Sequence, residues 1–295
     1  MQRRDVLKSM VWGLGAGLAG SRRAWARSAG PRELLHTRLA ALEARHGGRL
    51  GVAMLDTGTG AQLRYRADHR FMMCSTHKVL TVAAILARVD RGTERLDRRV
   101  VYGRDVLLEY APTTRAHVGP PGMTIEALCQ AAITLSDNTA DNLLLAQLGG
   151  PEAVTGFVRS LGDHITWLAR TEPALNYAMP DDHRDTTTPD AMLADLKALL
   201  LGTALSPASR LRLLGWMQAC QTGTQMLRAG LAAHWRCGDK TGSGPANELN
   251  DVAIVHPPGA APLLITSFYA ESVASLEERH GVIADIGRLA VTLHA

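Results

Sequence analysis

The chain has 295 residues, of which 46% are hydrophobic and 20% are charged, and it contains only 13 prolines. These values exclude a disordered or fibrous protein and fit a globular enzyme large enough for two lobes. Residues 1–26 account for the whole formal net charge of +4, and the remaining 27 basic and 27 acidic residues cancel. We therefore expect no basic surface that could bind nucleic acid.

The first 26 residues have the pattern of an export signal. Arg3 and Arg4 precede an apolar, glycine-rich run over residues 10–20, and Ala-Trp-Ala follows at 24–26 as a cleavage pattern. The run is about half the ~20 residues that a membrane-spanning helix needs, so we expect no membrane anchor. Paired arginines resemble the twin-arginine class of bacterial signals, whose export machinery would then be a partner; a general secretory signal is the alternative. Either signal predicts cleavage near Ala26 and a periplasmic protein.

Alternating apolar and polar residues predict strands near both ends of the mature chain. Leu50–Asp56 and Leu63–Tyr65 are joined by Thr-Gly-Thr-Gly and form a predicted hairpin. Three further strands are predicted at Trp235–Ser243, Asn250–His256 and Leu263–Ala270. A single sheet that combines both ends of the chain is the simplest arrangement.

Between these two groups of strands the periodicity is helical. Ser75–Val89, Thr124–Leu135 and Asn138–Leu148 are predicted helices, and Gly149 ends the last of them. Prolines at 151, 189 and 207 stand where the first turn of a helix tolerates proline. We predict a discontinuous α/β lobe over 27–66 and 219–295, an all-helical lobe over 67–218, and a ligand cleft where the two lobes meet.

Lysine is scarce after the leader, where Lys78, Lys197 and Lys240 occur beside 24 arginines. The pKa of a lysine can be lowered until it loses its proton, whereas arginine stays charged, so these lysines are candidates for chemistry. Lys78 follows Ser75 by three residues, which places both side chains on one face of a helix within reach of proton transfer. The pair predicts that Ser75 is an activated nucleophile, although this spacing alone is common by chance.

Two further motifs accompany this pair. Ser-Asp-Asn at 136–138 lies between two predicted helices, where Asp and Asn could also serve only as helix caps. Lys-Thr-Gly at 240–242 lies in a predicted strand, where it could also be an edge charge followed by a turn. In this order the three motifs resemble the set found in class A β-lactamases and penicillin-binding proteins.

A fourth motif distinguishes these two groups. Glu-Pro-Ala-Leu-Asn at 172–176 resembles the omega-loop signature of class A β-lactamases, which penicillin-binding proteins lack, and Arg170 and Asp185 match the ion pair that closes this loop over about 170–185. On these motifs residues 31–295 resemble a class A serine β-lactamase. The resemblance implies a two-lobed α/β fold, in which a five-stranded antiparallel sheet is flanked by terminal helices and joined to an all-α lobe. It also implies a monomer that hydrolyses β-lactams, confers antibiotic resistance and needs no cofactor.

The resemblance also implies how the reaction proceeds. Ser75 attacks the β-lactam carbonyl after Lys78, or Glu172 through a water molecule, removes its proton. Ser136, close to Lys240, passes a proton to the leaving nitrogen.

Other residues hold the intermediates and the substrate. The backbone N–H groups of Ser75 and Ser243 form the oxyanion hole, and Glu172 with Asn176 activates the water for deacylation. The implied substrate-binding residues are Tyr110, Asn138, Asn176, Thr241, Gly242 and Ser243.

Three positions depart from the family pattern. Leu249 stands where an arginine commonly helps to hold the substrate carboxylate, so we expect Lys240, Thr241 and Ser243, or an arginine from elsewhere, to hold it. His77 occupies a position that is often apolar in relatives. We interpret its side chain as packed on its helix rather than catalytic.

The third departure concerns Cys74, whose partner position in some carbapenem-hydrolysing relatives is occupied here by Gly244. We therefore predict no disulfide between these two positions. The other histidines lack metal-ligand spacing, so no metal is expected.

Two rival functions remain at this stage. A small D-alanyl-D-alanine peptidase would share the acylation step but would have no use for Glu172 and Asn176. A non-catalytic β-lactam receptor would stay acylated and would need a membrane anchor. The relative preference for penicillins, cephalosporins, monobactams and carbapenems is left open, because small changes in a site alter discrimination by only about 1 to 3 kcal/mol.

Overall fold

The computed structural model describes residues 31–177 and 181–294, and the predicted export signal lies outside them. The strands are β1 (Arg49–Asp56), β2 (Gln62–Tyr65), β3 (Phe71–Met72), β4 (Arg99–Val100), β5 (Met123–Thr124), β6 (Thr186–Thr187), β7 (Arg236–Ser243), β8 (Leu249–His256) and β9 (Leu263–Ala270). The helices are α1 (Pro31–His46), α2 (Lys78–Asp90), α3 (Ile125–Thr134), α4 (Asn138–Leu148), α5 (Pro151–Ser160), α6 (Pro189–Leu200), α7 (Pro207–Gln218), α8 (Leu227–Gly230) and α9 (Leu276–His294).

One five-stranded antiparallel sheet combines both ends of the described chain. Its strand order is β2-β1-β9-β8-β7, so the N-terminal hairpin joins the C-terminal strands through the pairing of β1 with β9. The five strands predicted from alternation are all present, and each begins and ends within one residue of its predicted bounds. The predicted fold class is confirmed in this sheet.

The two faces of the sheet are covered by different helices. Leu39 of α1 and Ile283 of α9 belong to one apolar cluster with Ile265 of β9. The neighbouring residue Leu264 belongs instead to the cluster formed with the helical lobe. Adjacent residues of a strand point to opposite faces, so β9 contributes to both cores.

Helix α2 lies at the centre of the helical lobe. Its residues from Lys78 to Ala87 are all buried, in agreement with the apolar run in the sequence. The predicted start at Ser75 differs from the structure, in which a 3₁₀ turn over Cys74–His77 precedes the α-helix. Cys74 has a positive φ of 46°, and an L-residue in this conformation cannot continue a right-handed helix. Ser75 therefore lies in a tight turn that leads into α2.

Local sequence signals mark several of the other helix ends. Asp137 caps α4, Gly149 ends it with a φ of 94°, and the three prolines begin α5, α6 and α7 as predicted. The region predicted to be all helical also contains two short strand pairs, β3 with β6 and β4 with β5. Strands of two residues show no alternation, so the sequence gives no sign of them.

Among the helices of the described ranges, none has both the length and the hydropathy required to cross a bilayer.

Candidate active site

The predicted nucleophile and its lysine lie side by side at the start of α2. Lys78 Nζ donates to Ser75 Oγ over 2.9 Å, and Ser75 Oγ lies 3.2 Å from Oε1 of Glu172. Lys78 and Glu172 are both buried, and their charged atoms are 3.2 Å apart. The serine hydroxyl therefore has two candidate proton acceptors within hydrogen-bonding distance.

Lys78 also joins α2 to the segment that begins α4. Its Nζ lies 2.9 Å from the carbonyl oxygen of Ser136, 3.3 Å from Ser136 Oγ and 2.6 Å from Asn138 Oδ1. Ser136 has a positive φ of 58°, which turns its carbonyl and side chain toward the lysine. These contacts bring the first two motifs together as the sequence predicted.

Asp137 supports this segment from behind. Its carboxylate accepts from the backbone N–H groups of Thr113, Thr114 and Ala140, and from the Thr114 hydroxyl. The middle residue of the Ser-Asp-Asn motif is thus a fully buried helix cap, while Ser136 and Asn138 face the cleft.

The second lysine reaches the same serine from strand β7. Lys240 Nζ lies 3.0 Å from Ser136 Oγ and 2.7 Å from the carbonyl oxygen of Thr241. Burial lowers the pKa of Lys240 to about 8, and the neighbouring charge of Lys78 acts in the same direction. Ser136 therefore lies between two lysines, which suits a group that passes a proton.

Glu172 is held in place by three side-chain contacts. Asn176 Nδ2 donates to its Oε2 over 2.6 Å. Asn142 of α4 binds its backbone at both ends, with Nδ2 2.8 Å from the Glu172 carbonyl and Oδ1 2.9 Å from its N–H. The predicted ion pair between Arg170 and Asp185 closes the loop. Asn142 was not predicted from the sequence, because a single asparagine in a helix carries no motif.

These residues line a cavity of about 330 Å³ between the sheet and the helical lobe. The predicted residues along its wall are Ser75, Tyr110, Ser136, Asn138, Glu172, Asn176, Thr241, Gly242 and Ser243. Tyr110, one of the implied substrate-binding residues, is half exposed at the rim. The structure thus brings nine of the predicted site residues to one cleft, and the remaining two, Lys78 and Lys240, lie buried behind Ser75 and Ser136.

Strand β7 passes very close to the nucleophile turn, and Gly242 makes this possible. A side-chain carbon at this position would lie 2.9 Å from the Met73 carbonyl oxygen and 3.1 Å from the Ser75 nitrogen. Distances this short leave no room for a larger residue.

The far part of the cleft, which we call the β7 end, is formed by Thr222, Met226, Leu249 and His280. Leu249 is buried opposite Ser243, and the Thr222 hydroxyl lies 2.5 Å from that of Thr241. Burial lowers the pKa of His280, and the Arg279 charge lowers it further. None of these four side chains carries a permanent charge, and the missing arginine at Leu249 has no replacement among them.

His77 and the four cysteines are all buried. His77 packs within the protein as interpreted, although it also binds Asp141. Cys74, Cys129, Cys220 and Cys237 are all free thiols. Within residues 31–177 and 181–294, no group of three or more His, Cys, Asp or Glu side chains could hold a metal ion.

Known proteins similar to this chain identify its family. Residues 34–293 match the model of the beta-lactamase enzyme family. Beta-lactamase CTX-M-8 of Citrobacter amalonaticus is 45% identical over 252 residues, which cover 85% of this chain and 86% of the relative. Beta-lactamase OXY-1 of Klebsiella oxytoca is 43% identical over 257 residues, which cover 87% of this chain and 88% of the relative.

Solved structures agree with these relatives. The structure of an ancestral class A β-lactamase is similar with a TM-score of 0.85 and 58% sequence identity, covering 87% of this chain and 98% of that chain. The resemblance inferred from the four motifs is therefore confirmed, and the chain belongs to the class A β-lactamase family.

Proposed function

We propose that this protein hydrolyses the amide bond of β-lactams through an ester on Ser75, and so confers antibiotic resistance. One observation carries the proposal: a buried lysine and a buried glutamate both lie within 3.2 Å of the same serine hydroxyl. The glutamate is itself fixed by Asn176. Such a site has the groups required to form an acyl-enzyme and the groups required to release it.

Acylation begins when Ser75 Oγ attacks the β-lactam carbonyl carbon. The hydroxyl proton is taken either by Lys78, after Lys78 has passed a proton to the Glu172 carboxylate 3.2 Å away, or by Glu172 through a water molecule. The carbonyl oxygen becomes negative and is bound by the backbone N–H groups of Ser75 and Ser243. The close approach of β7 at Gly242 supports this role, because it brings the strand next to the Ser75 nitrogen.

Opening of the ring requires a proton on the leaving nitrogen. Ser136 Oγ is the proposed donor, and it recovers a proton from Lys78 at 3.3 Å or Lys240 at 3.0 Å. Lys240, Thr241 and Ser243 are the proposed partners of the substrate carboxylate. Asn138 is the proposed partner of the side-chain amide, and Tyr110 borders the entrance.

Deacylation requires a water molecule that attacks the ester. Glu172 Oε2 is bound by Asn176 Nδ2, which orients the carboxylate while Oε1 faces Ser75. We assign Glu172 as the general base that takes a proton from this water and Asn176 as the second partner of the water. The bond between the acyl carbon and Ser75 Oγ then breaks, and Ser75 Oγ recovers a proton from Lys78, 2.9 Å away.

Rapid turnover of a chromogenic cephalosporin, together with its loss in Ser75→Ala, tests this function. Intact-mass measurement of the same samples should show one drug adduct that forms and disappears in the wild type and never forms in Ser75→Ala. A D-alanyl-D-alanine peptidase would instead keep the adduct, because it would lack fast deacylation. A persistent adduct without turnover would overturn the proposed hydrolysis.

Export is a separate part of the proposal. Arg3 and Arg4, the apolar run and the Ala-Trp-Ala pattern support a twin-arginine signal that is removed near Ala26, so that the mature enzyme acts as a monomer in the periplasm. N-terminal sequencing of periplasmic protein should begin near Arg27. A protein that keeps Met1, or that stays in the cytoplasm, would contradict this route.

A further inference from the structure

The segment that carries the nucleophile is held by side chains that bind its backbone carbonyl groups. Asn250 Nδ2 of β8 donates to the carbonyls of Met72 and Met73, at 2.9 and 3.1 Å, and the Thr76 hydroxyl donates to Met73 at 2.7 Å. The next carbonyl, that of Cys74, lies 2.7 Å from Nδ1 of His77. Three successive carbonyls before Ser75 are thus fixed from three directions.

Cys74 is the strained member of this segment. Its φ of 46° is left-handed, a conformation that costs energy for an L-residue outside Asn and Asp. Such a residue keeps its geometry only when its surroundings hold it. The ring of His77 is one such support, because it binds the Cys74 carbonyl directly in front of Ser75.

The other side of the His77 ring is fixed to α4. Nε2 lies 2.8 Å from Oδ2 of Asp141, and both side chains are completely buried. Asp141 lies three residues after Asn138, so both lie on the same side of α4. Lys78, which follows His77 in the chain, binds Asn138. Two successive residues of the nucleophile segment are therefore joined to two neighbouring residues of α4.

The hydrogen-bond roles identify the protonation state of the pair. A backbone carbonyl can only accept, so Nδ1 of His77 carries a hydrogen. A proton must also lie between Nε2 and the Asp141 carboxylate. Burial lowers the pKa of His77, but Asp141 raises it, and the result is above the usual value. Burial raises the pKa of Asp141, but His77 and Lys78 lower it more strongly. The pKa of Asp141 is therefore below its usual value.

The pair therefore shares one proton and has no net charge, and the directions of both pKa shifts favour an imidazolium beside a carboxylate. Lys78 and Glu172 are the other charged groups that act on His77. A neutral pair leaves the charge balance between these two catalytic groups almost unchanged. Its direct contacts are with the Cys74 carbonyl and with α4, which points to a geometric role.

We propose that His77 and Asp141 form a positioning pair, which holds the Cys74 carbonyl and α4 so that Ser75 Oγ stays aligned with Lys78 for acylation. This inference rests on the proposed function, because it concerns the same nucleophile. His77 touches none of the reacting atoms and acts through the backbone of the turn. The pair should matter most for acylation, since the ester itself fixes Ser75 Oγ during deacylation.

Two double variants and one control test the pair. His77→Phe with Asp141→Ala removes both contacts without leaving a buried charge alone. His77→Asn with Asp141→Ala keeps an N–H near the position of Nδ1, and so keeps a donor for the Cys74 carbonyl. Val158→Ala, in the core of α5 and away from the cleft, provides a variant that is less stable but has an intact site.

Single-turnover acylation and deacylation by a penicillin are measured by rapid quenching and intact mass, per titrated active site. We expect the Phe/Ala variant to acylate about 10 to 100 times more slowly, because small misplacements of reacting groups cause rate losses of this size. The deacylation rate should change much less. The Asn/Ala variant should recover most of the loss. Val158→Ala should unfold at a lower temperature and acylate like the wild type.

Two results would overturn the inference alone. The first is a Phe/Ala variant that acylates at the wild-type rate. The second is equal acylation by the Phe/Ala and Asn/Ala variants, which would show that the contact with the Cys74 carbonyl has no effect. A wild-type protein that forms no adduct on Ser75 would overturn the proposed function itself, and the inference with it.

Discussion

The two ends of the cleft differ in charge and in the number of hydrogen bonds that fix their side chains. At the nucleophile end, Ser75, Lys78, Ser136 and Glu172 are linked by direct hydrogen bonds, and each is supported by further contacts. The β7 end presents Met226 and Leu249 beside His280 and carries no permanent charge. The hydrogen-bonded residues of the nucleophile end thus form a polar frame, whereas the β7 end is lined mainly by uncharged side chains.

Replacement of Glu172 should give the largest effect at the nucleophile end. Glu172→Ala removes the proposed general base, and such groups contribute about 10² to 10⁴-fold. We expect Ser75 still to open the β-lactam ring, because Lys78 remains 2.9 Å away, while release of the ester nearly stops. Intact-mass measurement after brief exposure to a penicillin should show one stable adduct.

The Ser75→Ala protein, which can form no ester, is the control for that adduct. Loss of turnover without an adduct would assign Glu172 to acylation as well. Undiminished turnover would remove Glu172 from the mechanism.

Replacement of Lys240 tests whether charge alone is sufficient where the two ends meet. Lys240→Arg keeps the positive charge, but a planar guanidinium cannot reproduce the contacts with Ser136 Oγ and the Thr241 carbonyl in a buried space. The loss of a charge-assisted hydrogen bond, worth roughly 1.5 to 3 kcal/mol, predicts at least about a tenfold fall in kcat/KM. Lys197→Arg, in α6, is the matched control. Wild-type kcat/KM in Lys240→Arg would mean that only the charge matters.

The pH dependence of kcat/KM should also depend on Lys240. Its pKa of about 8 means that it is charged below pH 8 and loses its proton above it. A neutral amine attracts a substrate carboxylate less, so kcat/KM for penicillins should decline above pH 8, by about tenfold near pH 9 if the charge is essential. A pH profile of the folded enzyme measures this.

The Lys240→Arg enzyme provides the comparison, since arginine keeps its charge and should lack the alkaline decline. A flat wild-type profile to pH 9.5 would show that the protonation of Lys240 does not limit the reaction.

Leu249→Arg should have the smallest effect, and it would make the β7 end more like the nucleophile end. A guanidinium beside Ser243 and His280 adds a partner for the substrate carboxylate. We therefore expect KM for penicillins to fall about threefold to tenfold, which corresponds to one modest hydrogen bond of ~1 kcal/mol. Leu249→Gln, polar but uncharged, is the control. An unchanged KM with an intact fold would mean that other groups already hold the carboxylate.

The sequence was sufficient where several residues act at fixed spacing. Ser75 with Lys78, the Ser-Asp-Asn segment and the Lys-Thr-Gly strand could be recognised because each motif restricts the others. The strands were predictable because alternation reports burial on each face. The two-residue strands β3 to β6 were not predictable, since they are too short to show a period.

Residues that act singly could not be found in this way. Thr222 and Met226 reach the cleft from the turn before α8, and His280 reaches it from α9, and nothing in their neighbours marks them. The pairing of His77 with Asp141 depends on the packing of the nucleophile turn against α4, which only the folded chain brings together. Long-range contacts of this kind leave no local pattern in a single sequence.

The pairing of β1 with β9 has a consequence for how the chain reaches its native state. Gly51 lies opposite Phe268, so the central strands of the sheet come from segments made at the beginning and near the end of synthesis. Contacts between such distant segments form slowly, because a long loop must close before they contribute any stability. The sheet cannot be complete on the ribosome until β9 has emerged. A chain that lacks its last strand and helix would expose the β1 edge and aggregate rather than fold.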